Sequence, residues 1–192
     1  RTQYGFKSDN GTADVLFLAR RLLEETWANK SGQLLFLALD WAKAFDSVSP
    51  EALLTALKRF GVPDQFAAVV RAIYTDSCFA ARDAGQTSSQ HPQEFGICQG
   101  CPLSPFLFVI LTTVLLHDAK QEANMQSGLL VDDLIYADDT LIVSVDEASA
   151  DTYMRCIGKA GANYGLNFNW KKLELLRERC QATTLQPDGS EI

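Results

Sequence analysis

Apolar residues recur at positions 15, 16, 18, 19, 22 and 23 of "TADVLFLARRLLEETWANKSG", a spacing that predicts a helix closed by Gly32. A continuous apolar run follows in "QLLFLALDWAKAF" and predicts a buried strand from Leu34 to Leu39. "SPEALLTALKRFGV" carries Ser49 as N-cap, Pro50 at the first helical position and Gly61 as the stop, so it predicts a second helix. "PDQFAAVVRAIYTD" predicts a third after a short turn. "CFAARDAG" and "HPQEFGI" predict a small strand pair around the polar loop from Gly85 to Gln90. "SPFLFVILTTVLLHDAKQEA" predicts a long buried helix, again opened by Ser-Pro. "GLLVDDLIYADDTLIVSV" predicts two strands around a tight turn. "SADTYMRCIGKAGANYG" then predicts a helix stopped by Gly165, and "LNFNWKKLELL" a strand or extended segment. Pro187, Asp188 and Gly189 mark a turn in the tail. No repeat, low-complexity run or interdomain linker breaks the series. Mixed helices and buried strands point to a single α+β domain.

The chain of 192 residues can bury one good core, and 47% hydrophobic with 21% charged residues is a globular balance. A net charge of -7 weighs against a protein whose main task is to coat nucleic acid, while leaving room for a local basic groove or an acidic metal site. Cys98 and Cys101 form one CxxC without a second thiol pair or a nearby histidine. His91 and His117 fit no metal-ligand spacing. The five cysteines therefore read as free, mostly buried thiols of a reducing compartment. No secretory signal precedes Thr12, and the most apolar stretch, Pro105 to Leu116, is too short to span a bilayer. The start at Arg1 and the end at Ile192 read as cut edges of a larger protein.

Three stretches carry candidate chemistry. In "FLALDWAKAFDSV" a buried strand ends in Asp40, which either faces solvent, caps the next turn or serves a site. Asp46 and Ser47 could form a turn into the Ser49 cap, or Asp46 could pair locally with Lys43. In "LLVDDLIYADDTLIVSV" four aspartates interrupt an apolar pattern, where an isolated carboxylate is costly to ionise. Adjacent Asp138 and Asp139 would point to opposite faces of a strand, but a tight turn lifts that limit. A hairpin tip can present Asp138 to a divalent cation, and Asp40 on a neighbouring strand would supply a second carboxylate. Mg²⁺ takes oxygen ligands and often only one or two protein carboxylates, with substrate phosphate completing the shell. Asp132 and Asp133 are expected on the surface. "GICQGCPLSPFLF" is either an ordinary loop, with Gly100 in a turn and Ser104 as a cap, or a loop that lays Gln99 and backbone against a ligand.

At these residues the chain resembles the reverse transcriptases of non-LTR, LINE-like retrotransposons. "LALDWAKAFDSV" is similar to their motif A, "GICQGCPLSPFLF" to motif B, "LIYADDTLIV" to motif C and "GLNFNWKKLELL" to motif D. "QYGFKSDNGTADVLFL" resembles the finger segment before motif A. Leu173, where threonine is common, is a mild departure.

The resemblance implies a polymerase palm, an antiparallel sheet packed on helices, with part of the fingers and no thumb. It implies a partial reverse transcriptase domain over residues 1–192, with a fingers segment at 1–33 and a palm over 34–192 that carries a fingers-like insertion at about 60–95. Asp40, Asp138 and Asp139 would be the catalytic carboxylates that hold Mg²⁺, with Mn²⁺ as a substitute. Phe45 matches the steric gate under the sugar of the incoming nucleotide, and a bulky ring there excludes the 2′-hydroxyl that marks a ribonucleotide. Gln99 and Gly100 would contact the incoming nucleotide and template. Tyr136 and Ala137 would pack near the primer end, and Lys172 would help pyrophosphate leave.

The implied reaction is two-metal transfer of dNMP from a dNTP to a primer 3′-hydroxyl, with an RNA template and a DNA primer as partners. Arg20, Arg21, Lys58 and Arg59 are expected to face solvent. The resemblance places the thumb, an endonuclease and the basic residues that grip the triphosphate outside this stretch. It therefore implies weak Mg²⁺ binding and little polymerase activity for the piece alone. It also implies an intracellular setting, in the nucleus or a ribonucleoprotein particle, without secretion or a membrane role. Two other readings share the palm: a degenerate or domesticated non-catalytic fragment, and a group II intron-type enzyme. An RNA-dependent RNA polymerase fits poorly with Ala137 before the aspartate pair and with Phe45.

Overall fold

A computed structural model describes residues 3–123, 131–181, 183–184 and 186–192. Helix α1 (Thr12–Ala28) leads into strand β1 (Leu34–Leu39), and a single helical turn α2 (Ala44–Ser47) precedes α3 (Pro50–Phe60) and α4 (Asp64–Tyr74). Four two-residue strands follow: β2 (Cys78–Phe79), β3 (Arg82–Asp83), β4 (Gln86–Thr87) and β5 (His91–Pro92). Then come α5 (Ser104–Glu122), β6 (Val131–Tyr136), β7 (Asp139–Ser144), α6 (Glu147–Ala162), a 3₁₀ turn (Trp170–Lys172) and β8 (Glu174–Glu178).

Four strands form an antiparallel sheet in the order β6-β7-β1-β8. The unbroken apolar run of β1 follows from burial on both faces of that sheet. Leu35, Leu37 and Leu39 turn to the main core with α3, α5 and α6. Leu34 and Phe36 turn the other way and meet Val15, Leu18, Ala19, Leu22 and Leu23 of α1. The helical stripe of α1 is thus used as predicted, apart from Leu16, which is exposed. This arrangement is the α+β palm expected from the sequence.

Local signals behave as their chemistry requires. The Ser49 hydroxyl accepts from Ala52 N–H, Pro50 opens α3, and Gly61 ends it at φ 94°. Helix α1 stops at Ala28, four residues before Gly32. The predicted small strand pair is a ribbon of two nested ladders, β2 with β5 and β3 with β4, so the loop from Gly85 is itself partly strand. Residues 128–130, the start of the predicted strand before the hairpin, lie outside the described residues.

Several expectations need correction. None of the five cysteines is buried: Cys78 and Cys98 are exposed, and Cys101, Cys156 and Cys180 are half-buried. They lie on loops, edges and helix flanks, where the apolar packing is incomplete. Asp133 is fully buried rather than on the surface, because Lys120 Nζ and Tyr153 OH each donate to it at 2.8 Å. Arg59 is exposed as expected, but it is not idle there. Its guanidinium holds Asp118 in a bidentate pair and also donates to Tyr164 OH. Among the described residues no helix is long and apolar enough to cross a membrane.

Candidate active site

The hairpin β6–β7 places the motif aspartates. Tyr136 pairs with Asp139, so the turn consists of Ala137 and Asp138, and Asp139 is the first residue of β7 rather than part of the turn. Ala137 stands at φ 58°, a region that residues with a Cβ seldom occupy. Strand β1 lies beside β7, with Leu39 opposite Thr140. Asp40 follows directly, and the register carries it to the level of Asp139. Two neighbouring strands therefore end in carboxylates at the same edge of the sheet.

The segment after α6 closes the other side. Asn169 N–H donates to Asp40 C=O at 2.8 Å, and Ala42 N–H donates to Asn167 C=O at 2.8 Å. Trp41 stacks on Phe168 with centroids 4.6 Å apart, and Phe168 meets Trp170 edge-on at 5.5 Å. Room for this aromatic stack comes from α6: a Cβ on Gly161 would lie 2.7 Å from the Trp41 ring, and one on Gly158 would lie 2.9 Å from Phe168. The wrap brings Lys172 Nζ to 3.6 Å from Asp40 Oδ2. That is an ion pair at a distance too long for a hydrogen bond.

Asp40 Oδ2 is itself buried and has no hydrogen-bond partner among the described residues. The Asp139 carboxyl is pushed above its ordinary value, first by lost solvation and then by the charges of Asp138 and Asp40, with Lys172 opposing. Asp139 is exposed as a residue, but the protein beside its carboxyl still costs it water. Like charges crowded around one carboxyl, as Asp138 and Asp40 are around Asp139, are what a cation would relieve. The orphaned oxygen and the mutual repulsion fit a divalent cation with oxygen ligands. Among the described residues no three His, Cys, Asp or Glu side chains stand close enough to hold an ion by themselves. Mg²⁺ in general often keeps only one or two protein carboxylates and fills its shell with phosphate and water.

A cavity of about 620 Å³ opens beside Asp138, lined among others by Lys43, Phe45, Gln99, Gly100, Cys101 and Ser104. The Phe45 ring is fixed by stacking on Phe108 at 4.5 Å. The Gln99 loop is tied to the turn of α2, since Gly96 N–H donates to Val48 C=O and Ile97 N–H to Phe45 C=O. Gly96 stands at φ 97°, and a Cβ there would lie 3.0 Å from Asp46 Cα. Gly100 also has a positive φ, 86°.

All the residues expected at the site come together at this edge of the sheet: the three aspartates and Lys172 through their charges, and Phe45, Gln99 and Gly100 around the cavity. Tyr136 sits half-buried at the end of β6, across from Asp139. Asp46 does contact Lys43 locally, its N–H donating to Lys43 C=O at 2.9 Å, but its side chain is turned elsewhere. Its carboxylate accepts from Gln99 Nε2 at 2.8 Å. Lys43, at φ 53°, lines the cavity instead. Sequence reading gave no role to Gln3, which binds the hairpin turn from 134 residues away, and no local signal marks such a contact.

The family model described as reverse transcriptase (RNA-dependent DNA polymerase) matches residues 1–186. A retrovirus-related Pol polyprotein from a type-1 retrotransposable element of Popillia japonica is 34% identical over 110 residues, covering 56% of this chain and 18% of the relative. A 149 kDa protein of a Xenopus laevis transposon is 29% identical over 181 residues, covering 86% of this chain and 13% of the relative. The RNA-directed DNA polymerase from the mobile element jockey of Drosophila melanogaster is 26% identical over 177 residues, covering 88% and 19%. The chain thus spans less than one fifth of the length of these relatives. Among solved structures, telomerase from Candida albicans matches with a TM-score of 0.69 and 16% identity, over 95% of this chain and 33% of that one. Apo telomerase from Candida tropicalis matches with a TM-score of 0.68 and 14% identity, over 95% and 34%. At these identities the likeness is one of fold.

Proposed function

Because this chain belongs to the reverse transcriptase family, as a domain of the non-LTR, LINE-like kind, we propose that it is the catalytic core of an RNA-directed DNA polymerase that adds dNMP to a primer 3′-hydroxyl. The observation that carries the reading is the convergence of Asp40, with its orphaned oxygen, on Asp138 and Asp139 beside the cavity that Phe45 and Gln99 line. Asp40 and Asp138 would be the main Mg²⁺ ligands and Asp139 the third carboxylate, with Mn²⁺ able to substitute. Bound there, the ions would make the primer hydroxyl a better nucleophile and stabilise the charge of departing pyrophosphate.

The chain's own residues orient the reactants. Phe45, held by Phe108, forms a wall against a ribose 2′-hydroxyl and favours dNTPs. Gln99, held by Asp46, and Gly100, whose missing side chain leaves backbone open, face the nucleotide and the template base. Tyr136 and Ala137 support the primer end. Lys172 and Lys43 add positive charge where a triphosphate would lie, and Lys172 is placed to assist pyrophosphate departure. Residues 1–33 act as a fingers segment and 34–192 mainly as palm, with the ribbon region within about 60–95 as a fingers-like insertion. RNA template, DNA primer and dNTP are the partners, and the setting is the nucleus or a ribonucleoprotein particle.

The test is primer extension on an RNA template by the longer protein that carries this domain. Asp138→Ala should reduce incorporation to background while the variant keeps its fold. Undiminished extension by the variant would refute the assignment. The 192 residues alone are expected to bind Mg²⁺ weakly and to extend a primer little.

A further inference from the structure

The hairpin turn that presents Asp138 is held by a side chain from the far end of the chain. Ala137 N–H donates to Gln3 Oε1 at 3.1 Å, and Gln3 Nε2 donates to Ala137 C=O at 3.3 Å. One amide side chain thus satisfies both backbone groups of Ala137. The same Oε1 accepts from Gly5 N–H at 2.7 Å, which fixes the side chain in turn. Around this contact Gln3 pairs in parallel with Ile135, and Tyr4 N–H donates to Ile135 C=O at 2.7 Å. Gln3 and Tyr4 therefore run along the open edge of β6.

Ala137 is 7% exposed, so water has little access to the groups that Gln3 satisfies. Its φ of 58° is sparsely populated by residues other than glycine and persists only where the surroundings enforce it. Gly5 supplies the space for that enforcement. A Cβ there would lie 2.3 Å from Ala137 N and 2.9 Å from Ala137 Cα, both backbone atoms that cannot step aside. The dihedral of Ala137 sets the direction in which the chain enters Asp138. Mg²⁺ demands near-ideal octahedral placement of its ligands.

We infer that Gln3, with Gly5 giving it room, is a positioning residue for the proposed metal site: it clamps Ala137 in the positive-φ state and thereby fixes where Asp138 presents its carboxylate. The inference rests on Asp138 being a metal ligand.

The test uses the 192-residue chain with Mn²⁺ as the probe, its free concentration followed by electron paramagnetic resonance, and amide hydrogen exchange at Ala137 measured alongside. Gln3→Ala should weaken Mn²⁺ binding about tenfold, as loss of a residue that orients a ligand does. It should also remove protection of the Ala137 amide. In an Ala137→Gly background, where positive φ carries no steric cost, the further loss of Mn²⁺ affinity from Gln3→Ala should be less than about threefold. A purely structural role for Gln3 would give the same loss in both backgrounds, and that result would overturn the inference. So would an unchanged affinity in Gln3→Ala when Asp138→Ala abolishes binding. If Asp138→Ala leaves Mn²⁺ binding intact, or the wild type binds none, the metal assignment itself fails. Exchange then decides the clamp, with unchanged Ala137 protection in Gln3→Ala refuting it and lost protection upholding it. Should Gln3→Ala not fold, Gln3→Met keeps the stem, loses both polar contacts and serves the same comparison.

Discussion

Lys120→Met should cost the fold more than removal of the charge that Lys120 serves. Asp133 is fully buried in β6, and its two oxygens accept from Lys120 Nζ and Tyr153 OH at 2.8 Å each. The Lys120 side chain keeps 42% of its exposure. The two deletions therefore leave different remnants. Asp133→Asn leaves an ammonium that can turn to water and an amide oxygen that can still meet Tyr153. What it loses is charge assistance to the hydrogen bonds, about 1.5 kcal/mol, the lower end of the range for bonds to a charged group. Lys120→Met leaves a buried carboxylate with Tyr153 as its remaining donor. Breaking a buried pair in that direction costs about 3–5 kcal/mol. The partly open position of Lys120 lets water approach, which sets the expectation near 3 kcal/mol, at the lower end of the same range. Burial and the Asp133 charge push the Tyr153 phenol far above its ordinary value, so it remains a donor at neutral pH. Urea unfolding of both variants at pH 7, with matching m-values, reads the difference directly. An equal or reversed order would refute the reasoning. So would a loss below about 1 kcal/mol for Lys120→Met, which is what an ordinary surface ion pair is worth.

Two further outcomes follow from contacts away from the site. Arg59 hydrogen bonds hold the Asp118 carboxyl below its ordinary value of 3.8, and a depressed carboxyl stabilises the fold above that value and loses its effect as pH falls through the folded one. The melting-temperature gap between wild type and Asp118→Asn should therefore stay flat from neutral pH to about 5 and close below about 4; a gap that widens on acidification would contradict this. Gly161→Ala gains about 1 kcal/mol of helix propensity. Its new Cβ would sit 2.7 Å from two atoms of the Trp41 ring, and overpacking of that kind costs about 1–3 kcal/mol. A modest net destabilisation with a weaker near-ultraviolet signal from the Trp41–Phe168 stack is expected, and a more stable variant would show that the stack yields freely.

The elements that were legible in the sequence are those whose cause is local. Ser49, Pro50 and Gly61 delimit α3 because cap, first-turn and stop chemistry act within a turn of the chain. The unbroken apolar run of β1 was readable as burial on both faces. The aspartates of the apolar stretch stood out because a carboxylate there is costly to ionise without a partner. What the sequence hid is set by partners far along the chain. Asp133 looks like a surface residue until α5 and α6 deliver Lys120 and Tyr153 to it. The Asp46 carboxylate looks like a partner for the Lys43 side chain until the motif B loop folds back with Gln99. Gly158 and Gly161 look like weak points of α6, and they are the hollows into which Phe168 and Trp41 pack. Charge and spacing could suggest candidates in each case, but only topology chooses between them.

The aspartates of the hairpin show how that choice makes a site. Asp133 and Asp138 are five residues apart, in the same β6–β7 unit, and the same carboxylate chemistry has opposite ends. At Asp133 two donors neutralise the carboxylate, so it can support the sheet but has no capacity left for a ligand. At Asp40, beside Asp138 and Asp139, one buried oxygen meets no such donor among the described residues. The charges repel, and Lys172 stands off at 3.6 Å. The turn between them adds a second cost, a non-glycine residue at positive φ, of order 1–3 kcal/mol. A fold selected for stability alone would place glycine at Ala137 and pair the carboxylates with arginine. Keeping the strain, and holding it with Gln3, makes sense when the hairpin must deliver an ionised oxygen to a fixed point in space. The site is then recognisable by the contacts it lacks as much as by those it makes.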